Sequence, residues 1–398
     1  MEIRKLEAAE QRDFHKICQS VFFDIGREEF NTPEIDDVVR LGAFGADGKL
    51  QSALMVIPYV MRMNGRDVKM GGLGAVVSKP EARGRGQMPA LMKAAFADMR
   101  EKGQIFSFLY PFSFVYYRKF GYEMCYAHNQ MKIPLAQISS YKCCVDAMPV
   151  NSANDALRLK KIYEHFTRDR NLAIVRGDDT WEKIAERDAE RDLEFTYFFR
   201  DTDGSDVAYI MYGVERDDDE GNRLIIQELC WVTPDALRSV LGFLARLGPE
   251  FEYIIWNAPP GIDVLFPEAF DVERRIETTG MNRIVDVTAA LATLHAPDGN
   301  GRVVIGVTDD FLPENSGTYA VEWNSGALCA EKTSDVISAP SEPSAPDMLT
   351  SVQTLAQLVT GYITPEIAAL KKDTATNGAT AELNALFQKR HLFIIEHF

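Results

Sequence analysis

One segment of the chain, residues 76–88, constrains its fold more than any other; its sequence is VVSKPEARGRGQM. The apolar residues before and within this segment predict a β-strand over residues 68–78. The apolar residues that follow recur at helical spacing: Met88, Leu91, Met92, Ala95, Phe96 and Met99. They predict a helix over residues 86–102, with Pro89 in its first turn, where proline is tolerated. The segment is therefore predicted to run from a strand through a glycine-rich turn directly into a helix.

The turn between this strand and this helix is suited to binding phosphate groups. The first turn of a helix carries N–H groups without partners and a partial positive charge. Gly84 and Gly86 let the backbone approach a phosphate closely, and Arg83 and Arg85 add positive charge. A plain strand–helix turn could share the Gly-x-Gly spacing, but the preceding strand and Pro80 make the whole block more specific. The segment therefore predicts a phosphate-binding site.

Length and composition indicate an ordinary globular protein. The chain has 398 residues, which predicts two or three domains at about 150 residues each. Hydrophobic residues make up 46% of the chain and charged residues 26%, as is usual for globular proteins. No apolar run approaches the ~20 residues that a membrane span requires, and the N-terminus lacks the apolar core of a secretory signal. The expected location is the cytoplasm, with no membrane partner.

Charge and cysteine content narrow the classes of ligand. The net charge of −16 disfavours nucleic acid as a partner, because a polyanion would be repelled on average. An acidic chain is better suited to attracting cationic small molecules, although acidity also serves solubility alone. The six cysteines form no C-x-x-C pair, so no metal site is expected.

The middle of the chain, residues 151–286, repeats the order of elements seen in the first region. Helical patterns are followed by strand-like runs, then by a predicted helix over residues 234–247 and a strand over residues 253–257. The run 224–232 leads into this helix as the first strand leads into its own, but no Arg-Gly-x-Gly follows it. We interpret the region as a second copy of the fold that has lost cofactor binding.

The last part of the chain changes pattern again after Asp286. The predicted elements are strands at residues 303–307 and 317–323, a loop at 338–346, and helices at 349–360 and 381–389. Thr380 is predicted to cap the second of these helices. The chain ends in the apolar run 392–395 followed by Glu396, His397 and Phe398, which indicates a terminus that is tied into the structure.

The block Arg83-Gly84-Arg85-Gly86 resembles motif A of the GNAT superfamily of acetyltransferases, whose pattern is R/Q-x-x-G-x-G/A between a strand and a helix. The resemblance implies acetyl-CoA as the co-substrate. It implies that backbone groups near Val76, Val77 and Ser78 hold the acetyl carbonyl and the pantetheine arm. The pyrophosphate would be held by the N–H groups of the following residues: Arg83, Gly84, Arg85, Gly86, Gln87 and Met88.

The segment from Tyr110 to Glu123 resembles the Y-x-x-x-G-(F/Y)-E signature of the same superfamily. In that signature a tyrosine beside the thioester protonates the departing CoA thiolate. A phenol with a pKa of about 10 can deliver a proton to a thiolate with a pKa of about 8.5. By position the matching residue is Tyr117, and Tyr116 is the alternative. Phe120 and Tyr122 are interpreted as packing residues.

Length, the second copy and the added third region together resemble the enhanced intracellular survival (Eis) family. The implied fold class is α/β (α+β), with tandem GNAT-fold domains followed by a sterol-carrier-protein-like domain. The predicted domains cover residues 1–145, 146–286 and 287–398. The resemblance is architectural over the whole chain and is carried by motifs only around residues 74–123 and at the C-terminus. It implies a homo-oligomer, commonly a homohexamer.

The same resemblance implies an unusual base, the C-terminal carboxylate, which belongs here to Phe398. With a pKa of about 3.5 it is a weak base, so its role would be to hold the substrate ammonium and accept its proton as the tetrahedral intermediate forms. Phe22 and Asp24 match the Phe-x-Asp spacing of the family's amine pocket. Glu396 and His397 lie beside the terminus, and His397 stands where the family carries an acid. Without the resemblance, a last strand that completes a sheet would be the simpler interpretation.

These features predict an acetyl-CoA-dependent N-acetyltransferase that acts on a primary amine by direct transfer. The amine would be an aminoglycoside, a polyamine or a lysine-type substrate, and the sequence does not choose among them. One alternative is a CoA-binding sensor or scaffold without turnover. Another is a carrier of apolar ligands acting through the third domain.

Overall fold

A computed structural model of the chain describes residues 1–22, 37–186, 193–217, 221–338, 342 and 345–396. Three predicted site residues, Asp24, His397 and Phe398, lie outside these described residues. The chain divides into two compact units, one formed by Met1–Tyr126 with Gly280–Phe398 and the other by Ala127–Thr279. Within the described ranges, none of the helices combines the length and the apolar character that crossing a bilayer demands.

The helices and strands are numbered along the chain. The first part contains β1 (Glu2–Lys5), α1 (Gln11–Val21), β2 (Val39–Phe44), β3 (Leu50–Met63), β4 (Arg66–Ser78), α2 (Gln87–Glu101), β5 (Phe106–Leu109), α3 (Phe114–Arg118) and β6 (Glu123–Pro134). The middle contains β7 (Asp146–Pro149), α4 (Ala156–Thr167), β8 (Arg170–Asn171), α5 (Asp178–Ala185), β9 (Glu194–Arg200), β10 (Asp206–Asp217), β11 (Gly221–Trp231), α6 (Pro234–Ala245), β12 (Tyr253–Asn257) and β13 (Glu273–Ile284). The last part contains α7 (Val287–Leu291), β14 (Asn300–Thr308), β15 (Gly317–Asn324), β16 (Ala327–Ser334), β17 (Met348–Ser351), α8 (Val352–Thr360), α9 (Pro365–Ala368), β18 (Ala375–Thr376), α10 (Thr380–Leu386) and β19 (His391–Leu392).

The first unit contains the predicted strand, turn and helix. Strands β1 to β4 pair antiparallel in sequence order, β4 pairs parallel with β5, and residues 281–284 of β13 add antiparallel to β5. Helices α1 and α2 cover opposite faces of this sheet, because α1 packs against Val77 and α2 packs against Leu73. The predicted strand 68–78 and helix 86–102 are confirmed as β4 and α2, with bounds shifted by one or two residues.

The second unit has the same order of strands. Strands β7, β9, β10 and β11 pair antiparallel. Strand β11 pairs parallel with β12, and α6 connects these two strands along the chain. Residues 130–134 of β6 add antiparallel to β12. The repeat inferred from the sequence is therefore present. In each unit the last strand comes from a distant part of the chain: residues 281–284 complete the first sheet, and residues 130–134 complete the second.

The third region of the chain forms a five-stranded sheet in the order β16-β15-β14-β17-β18. The helix predicted over residues 349–360 begins only at Val352, because Met348–Ser351 pairs as a strand with β14 and Ser351 caps the helix. The predicted cap at Thr380 is also wrong. Ala379 occupies the cap position with a φ of 47°, and Thr380 is the first residue of the helix. A periodic pattern gives the start of a helix only approximately. Strand pairing decides the start at Val352, and turn geometry decides the start at Thr380.

A buried ion pair joins the end of β13 to the third region. Arg283 Nη2 donates to Asp309 Oδ2 at 2.5 Å, and both side chains are at most 1% exposed. Asp309 also accepts hydrogen bonds from the Asn315 side chain and from the backbone N–H groups of Phe311 and Leu312. A Cβ at Gly121 would overlap the Arg283 guanidinium, so this arginine lies directly against the loop that follows α3.

Replacing Arg283 by Met is expected to reduce the free energy of unfolding by about 3–5 kcal/mol, because it leaves the Asp309 carboxylate buried without its cation. The urea unfolding transition would measure the loss. Arg302→Met is the matched control, since Arg302 pairs with Glu322 at 2.8 Å while both side chains stay more than half exposed. Such surface pairs contribute only about 0–1 kcal/mol. Equal shifts of the transition in the two variants would contradict the importance of the buried pair.

Candidate functional site

Strands β4 and β5 separate partway along their length. Their parallel pairing runs from Met70 opposite Phe106 to Gly72 opposite Phe108, whereas β4 continues to Ser78. The register of β4 against β3 shifts just beyond this point, and Ala75 there has a φ of 48°. Such a bulge redirects backbone groups and is common next to active sites. Residues 73–78 therefore present one backbone edge that does not pair with β5. Sequence reasoning missed this bulge, since an alanine gives no signal for a positive φ.

The point of separation is held by a buried chain of hydrogen bonds. Ser107 Oγ on β5 donates to the Gly71 carbonyl on β4 at 3.0 Å. The Tyr122 hydroxyl lies 2.6 Å from the same Ser107 Oγ, and it must be the donor because the single serine hydrogen is already used. Tyr122, predicted to be a packing residue, thus also links the two strands at Gly71 and Ser107, one pair before their pairing ends.

The turn that follows β4 exposes unpaired backbone donors. Gly84 and Gly86 have φ values of 75° and 76°, which glycine adopts without strain. Gly86 is the N-cap of α2 and provides no side-chain cap. Within the described part of the chain, none of the N–H groups from Gly84 to Met88 meets an acceptor. These donors lie at the start of a helix, where backbone N–H groups and the helix dipole favour a bound phosphate.

The arginines of the turn are available to a ligand. Arg83 and Arg85 are both exposed, as are the two glycines between and after them. Among the described residues, neither arginine forms an ion pair with an acidic side chain. A phosphate at this helix start would therefore meet two guanidinium groups as well as the backbone donors.

Other side chains of the predicted segment serve the fold, not the ligand. Gln87 is buried, with its Oε1 2.7 Å from Ser52 Oγ and its Nε2 2.5 Å from Gln51 Oε1. Ser52 Oγ is also 2.8 Å from Ser78 Oγ, so this network ties the start of α2 to β3 and β4. Val77 and Met88 lie in the core on opposite faces of the sheet. Only the backbone of these residues remains available for binding.

Tyr117 lies on α3, the short helix that follows β5. Ser113 caps this helix by accepting a hydrogen bond from the Tyr116 N–H at 3.3 Å. The Tyr117 ring is 3% exposed and packs edge-on against Phe112, Tyr116 and Tyr122. Burial raises the pKa of its phenol well above the ordinary value. Its hydroxyl makes no hydrogen bond to any described residue, so it is free to act on a ligand.

Tyr116 and Glu123, the neighbours of Tyr117 in the signature, make contacts of their own. Burial also raises the pKa of Tyr116, whose ring packs against Phe120 and lies beneath the Lys119 ammonium. Glu123 accepts three hydrogen bonds from the Nε and Nη2 groups of Arg118, the shortest at 2.7 Å. Glu123 therefore stabilises the end of α3 and is already occupied.

The C-terminal segment lies against the end of β5. Tyr110, the residue directly after β5, donates its hydroxyl hydrogen to the Glu396 carbonyl at 2.6 Å. Ile394 is fully buried. The C-terminal tail, residues 392–396, is therefore packed into the first unit at Ile394 and hydrogen-bonded to it at Glu396. Phe22, the other described residue of the predicted amine pocket, follows the end of α1 and is 36% exposed.

The comparisons with known proteins agree with this geometry. A family model described as an acetyltransferase (GNAT) domain matches residues 2–125, and a second acetyltransferase (GNAT) model matches residues 172–284. A sterol carrier protein domain model matches residues 287–394. No curated protein sequence matches the chain significantly.

Three solved structures share the fold of the whole chain. A GCN5-related N-acetyltransferase from Anabaena variabilis ATCC 29413 has 22% identity and a TM-score of 0.83, covering 100% of both chains. A probable N-acyltransferase from Enterococcus faecalis V583 has 19% identity and a TM-score of 0.84, covering 100% of this chain and 99% of its own. Eis1 from Mycobacterium abscessus has 20% identity and a TM-score of 0.79, covering 100% of both chains. The chain contains two GNAT acetyltransferase domains and a sterol carrier protein domain, and it shares the whole-chain fold of Eis1.

The predicted fold class is thereby confirmed: two GNAT domains of mixed α and β structure precede a sterol carrier protein domain. A GNAT domain uses an acyl-CoA co-substrate, and the unpaired donors at the start of α2 fit its pyrophosphate. The open edge of β4 lies on the same strand that leads into this turn. Both features therefore lie in the first GNAT domain.

The second GNAT domain has the same strands but, among its described residues, lacks the set of exposed, unpaired N–H groups found at the start of α2. Strands β11 and β12 pair from Arg223 opposite Tyr253 to Ile226 opposite Trp256, whereas β11 continues to Trp231. They therefore separate partway along their length, as β4 and β5 do. Helix α6, however, is capped by the Thr233 side chain, which accepts from the Ala236 N–H at 3.2 Å. Asp235 adds a negative charge in the first turn. An anion approaching this helix would meet a filled cap and a carboxylate.

Proposed function

We propose that the first GNAT domain moves an acetyl group from acetyl-CoA to a primary amine of a small molecule by direct transfer. The observation that carries this proposal is the set of unpaired N–H groups from Gly84 to Met88 at the start of α2. The acyl group would lie along the open edge of β4 near Val76, Val77 and Ser78. The substrate class includes aminoglycosides, polyamines and lysine-type amines.

The proposed reaction forms a C–N bond and breaks the C–S bond of the thioester. The amine nitrogen attacks the acetyl carbonyl, and backbone N–H groups of β4 stabilise the oxyanion. The C-terminal carboxylate of Phe398 receives the proton that the amine loses, and Tyr117 donates a proton to the departing thiolate. No enzyme group is acylated, so no cysteine is required.

The environment of Tyr117 suits a proton donor. Because burial raises the pKa of this phenol, the hydroxyl stays protonated across the neutral range. The same low-dielectric surroundings would destabilise a CoA thiolate and raise the thiol pKa, so donor and acceptor shift in the same direction. Tyr116 is the alternative donor, but its ring faces Phe120 and Lys119.

Several features of the amine side and the assembly belong to the same proposal. Phe22 and Asp24 would line the amine pocket, with Glu396 and His397 beside the terminus. The net charge of −16 would attract a cationic amine.

We propose domain boundaries at residues 1–145, 146–286 and 287–398 and a homohexameric assembly. We further propose that only the first domain binds acetyl-CoA.

A thiol-release screen tests the activity. The enzyme is incubated with acetyl-CoA and, separately, aminoglycosides, polyamines, lysine derivatives and peptide N-termini. At least one class should release free CoA in step with an acetylated product detected by mass spectrometry. Tight CoA binding without thiol release from any class would overturn the proposal and favour a sensor or scaffold.

Reversing the charge of Arg85 tests the pyrophosphate site. Arg85→Glu should raise the Kd for CoA at least about tenfold, since a lost charge-assisted hydrogen bond is worth about 1.5–3 kcal/mol. Titration calorimetry at constant ionic strength measures the change. It should also give one CoA per wild-type chain.

Arg238→Glu is the matched control for this experiment. Arg238 lies near the start of α6 in the second domain, where it pairs with Asp235. It carries the same charge change on the corresponding helix, and CoA affinity should stay unchanged. An equal loss in both variants would assign the effect to net charge and not to the turn after β4.

A further inference from the structure

We propose that Tyr110 and Tyr126 form a clasp that positions the C-terminal segment at the place where β4 and β5 separate. The positioning of the terminal carboxylate rests on the proposed function, whereas the clasp itself rests on contacts of described residues. The sequence does not indicate this role for either tyrosine, since each lies far along the chain from the C-terminal residues that it contacts.

The first contact lies at the end of β5. Tyr110 follows Leu109 directly, so its ring is anchored by the strand that pairs with β4 up to Gly72. Its hydroxyl donates to the Glu396 carbonyl at 2.6 Å, a short and partly buried hydrogen bond across 286 residues of sequence. The ring also packs edge-on against Phe108, with centroids 5.7 Å apart. The donor is therefore fixed by both backbone and packing.

The second contact lies two residues earlier in the tail. Burial is the main reason that the pKa of the Tyr126 phenol on β6 is raised to about 12, and a hydrogen bond from the backbone of Ile394 opposes this rise. Ile394 itself is fully buried. One tyrosine thus holds the backbone at residue 394 and the other holds it at residue 396. Two restraints on alternate residues fix both the position and the direction of an extended segment.

The charge of the tail supports the same arrangement. The Glu396 carboxylate contributes to raising the pKa of three tyrosines, after the larger effect of burial: Tyr59, Tyr110 and Tyr126. A raised phenol pKa keeps the Tyr110 hydroxyl protonated at every pH at which the enzyme would work, so its hydrogen bond to the Glu396 carbonyl persists. The Glu396 carboxylate therefore lies close to all three phenols.

The consequence concerns the end of the chain, which lies two residues beyond Glu396. Chain termini usually fray, and a frayed carboxylate would sample many positions. A catalytic group gains its effect from being held within reach of the reacting atoms. Tyr110 and Tyr126 are thus positioning residues, because they act on the reaction through the C-terminal segment.

The test uses three single variants of the full-length protein. Tyr110→Phe and Tyr126→Phe each remove one hydroxyl of the clasp and keep the ring. Tyr141→Phe is the matched control, because the Tyr141 hydroxyl donates to the Leu265 carbonyl at 2.7 Å in the second unit. The readouts are the rate at which a carboxypeptidase releases Phe398, the kcat for amine acetylation, and the KM for acetyl-CoA.

We expect carboxypeptidase to release Phe398 at least about tenfold faster from Tyr110→Phe and Tyr126→Phe, with kcat lowered by about tenfold or more and the KM for acetyl-CoA unchanged. The control should match the wild type in all three readouts. Release at the wild-type rate from both variants would overturn the clasp. Faster release with unchanged kcat would overturn the positioning role. If the wild-type enzyme acetylated no amine, the proposed function would fail, while the carboxypeptidase rates would still decide the clasp.

Discussion

Deleting Phe398 is expected to lower the kcat for amine acetylation by about 10²–10⁴-fold, the range associated with losing a positioned general base. The deletion leaves a carboxylate at the chain end but moves it back by one residue, about 3.3 Å in an extended chain. It also leaves unchanged the turn after β4, so the Kd for CoA should stay within about twofold. Steady-state thiol release and calorimetry measure the two quantities.

Two further variants separate the carboxylate from the phenyl ring. Phe398→Leu keeps the terminal carboxylate in place and should retain most of the activity. Addition of two glycines after Phe398 keeps the ring but moves the charge, and should be as damaging as the deletion. Full activity of an enzyme extended at its C-terminus would rule out the terminal carboxylate as the base. An N-terminal extension of equal length is the control for the added residues.

The part of the site that could be predicted from sequence is the part encoded locally. Strand β4, the turn with Gly84 and Gly86, and helix α2 follow one another without a break, so periodicity and glycine placement suffice to identify them. The positive φ values at both glycines are the conformation that their residue type favours. The helix start was placed within one residue for the same reason.

The parts that could not be predicted depend on pairing between distant segments. Ala75 adopts a positive φ because the register of β3 against β4 requires a bulge there, and no property of alanine indicates it. Residues 281–284 complete the first sheet although they follow the whole second compact unit, Ala127–Thr279. Met348–Ser351 has an apolar pattern that fits a helix, but pairing with β14 makes it a strand. Tertiary context decides such short segments.

The difference between Tyr110 and Tyr117 has the same origin. Tyr117 stands at a fixed distance from Gly121 and Glu123 in a signature, so position alone selected it. Tyr110 opens the same segment, but its partner is the Glu396 carbonyl at the other end of the chain. Sequence spacing therefore identifies Tyr117 but gives no indication of the role of Tyr110.

Tyr117→Phe is expected to lower kcat by about 10²–10³-fold with little change in the KM for acetyl-CoA, because only the proton for the thiolate is lost. The fold should be unaffected. The hydroxyl bonds to no described residue, so its removal leaves no buried group without a partner, and the ring can keep its contacts with Phe112 and Tyr122. The thermal unfolding midpoint checks this. Tyr116→Phe distinguishes the two candidates, since the larger loss of kcat identifies the donor.

The pH dependence provides an independent check of Tyr117. Burial raises the pKa of its phenol, so the group remains protonated below the ordinary tyrosine pKa of about 10 and does not titrate in the neutral range. Loss of the hydroxyl should therefore lower kcat by the same factor at every pH from about 6 to 9, without changing the shape of the profile. If the alkaline limb of the wild-type profile disappeared in Tyr117→Phe, the phenol would be titrating near neutrality. That result would contradict the desolvated environment on which its role as a proton donor depends.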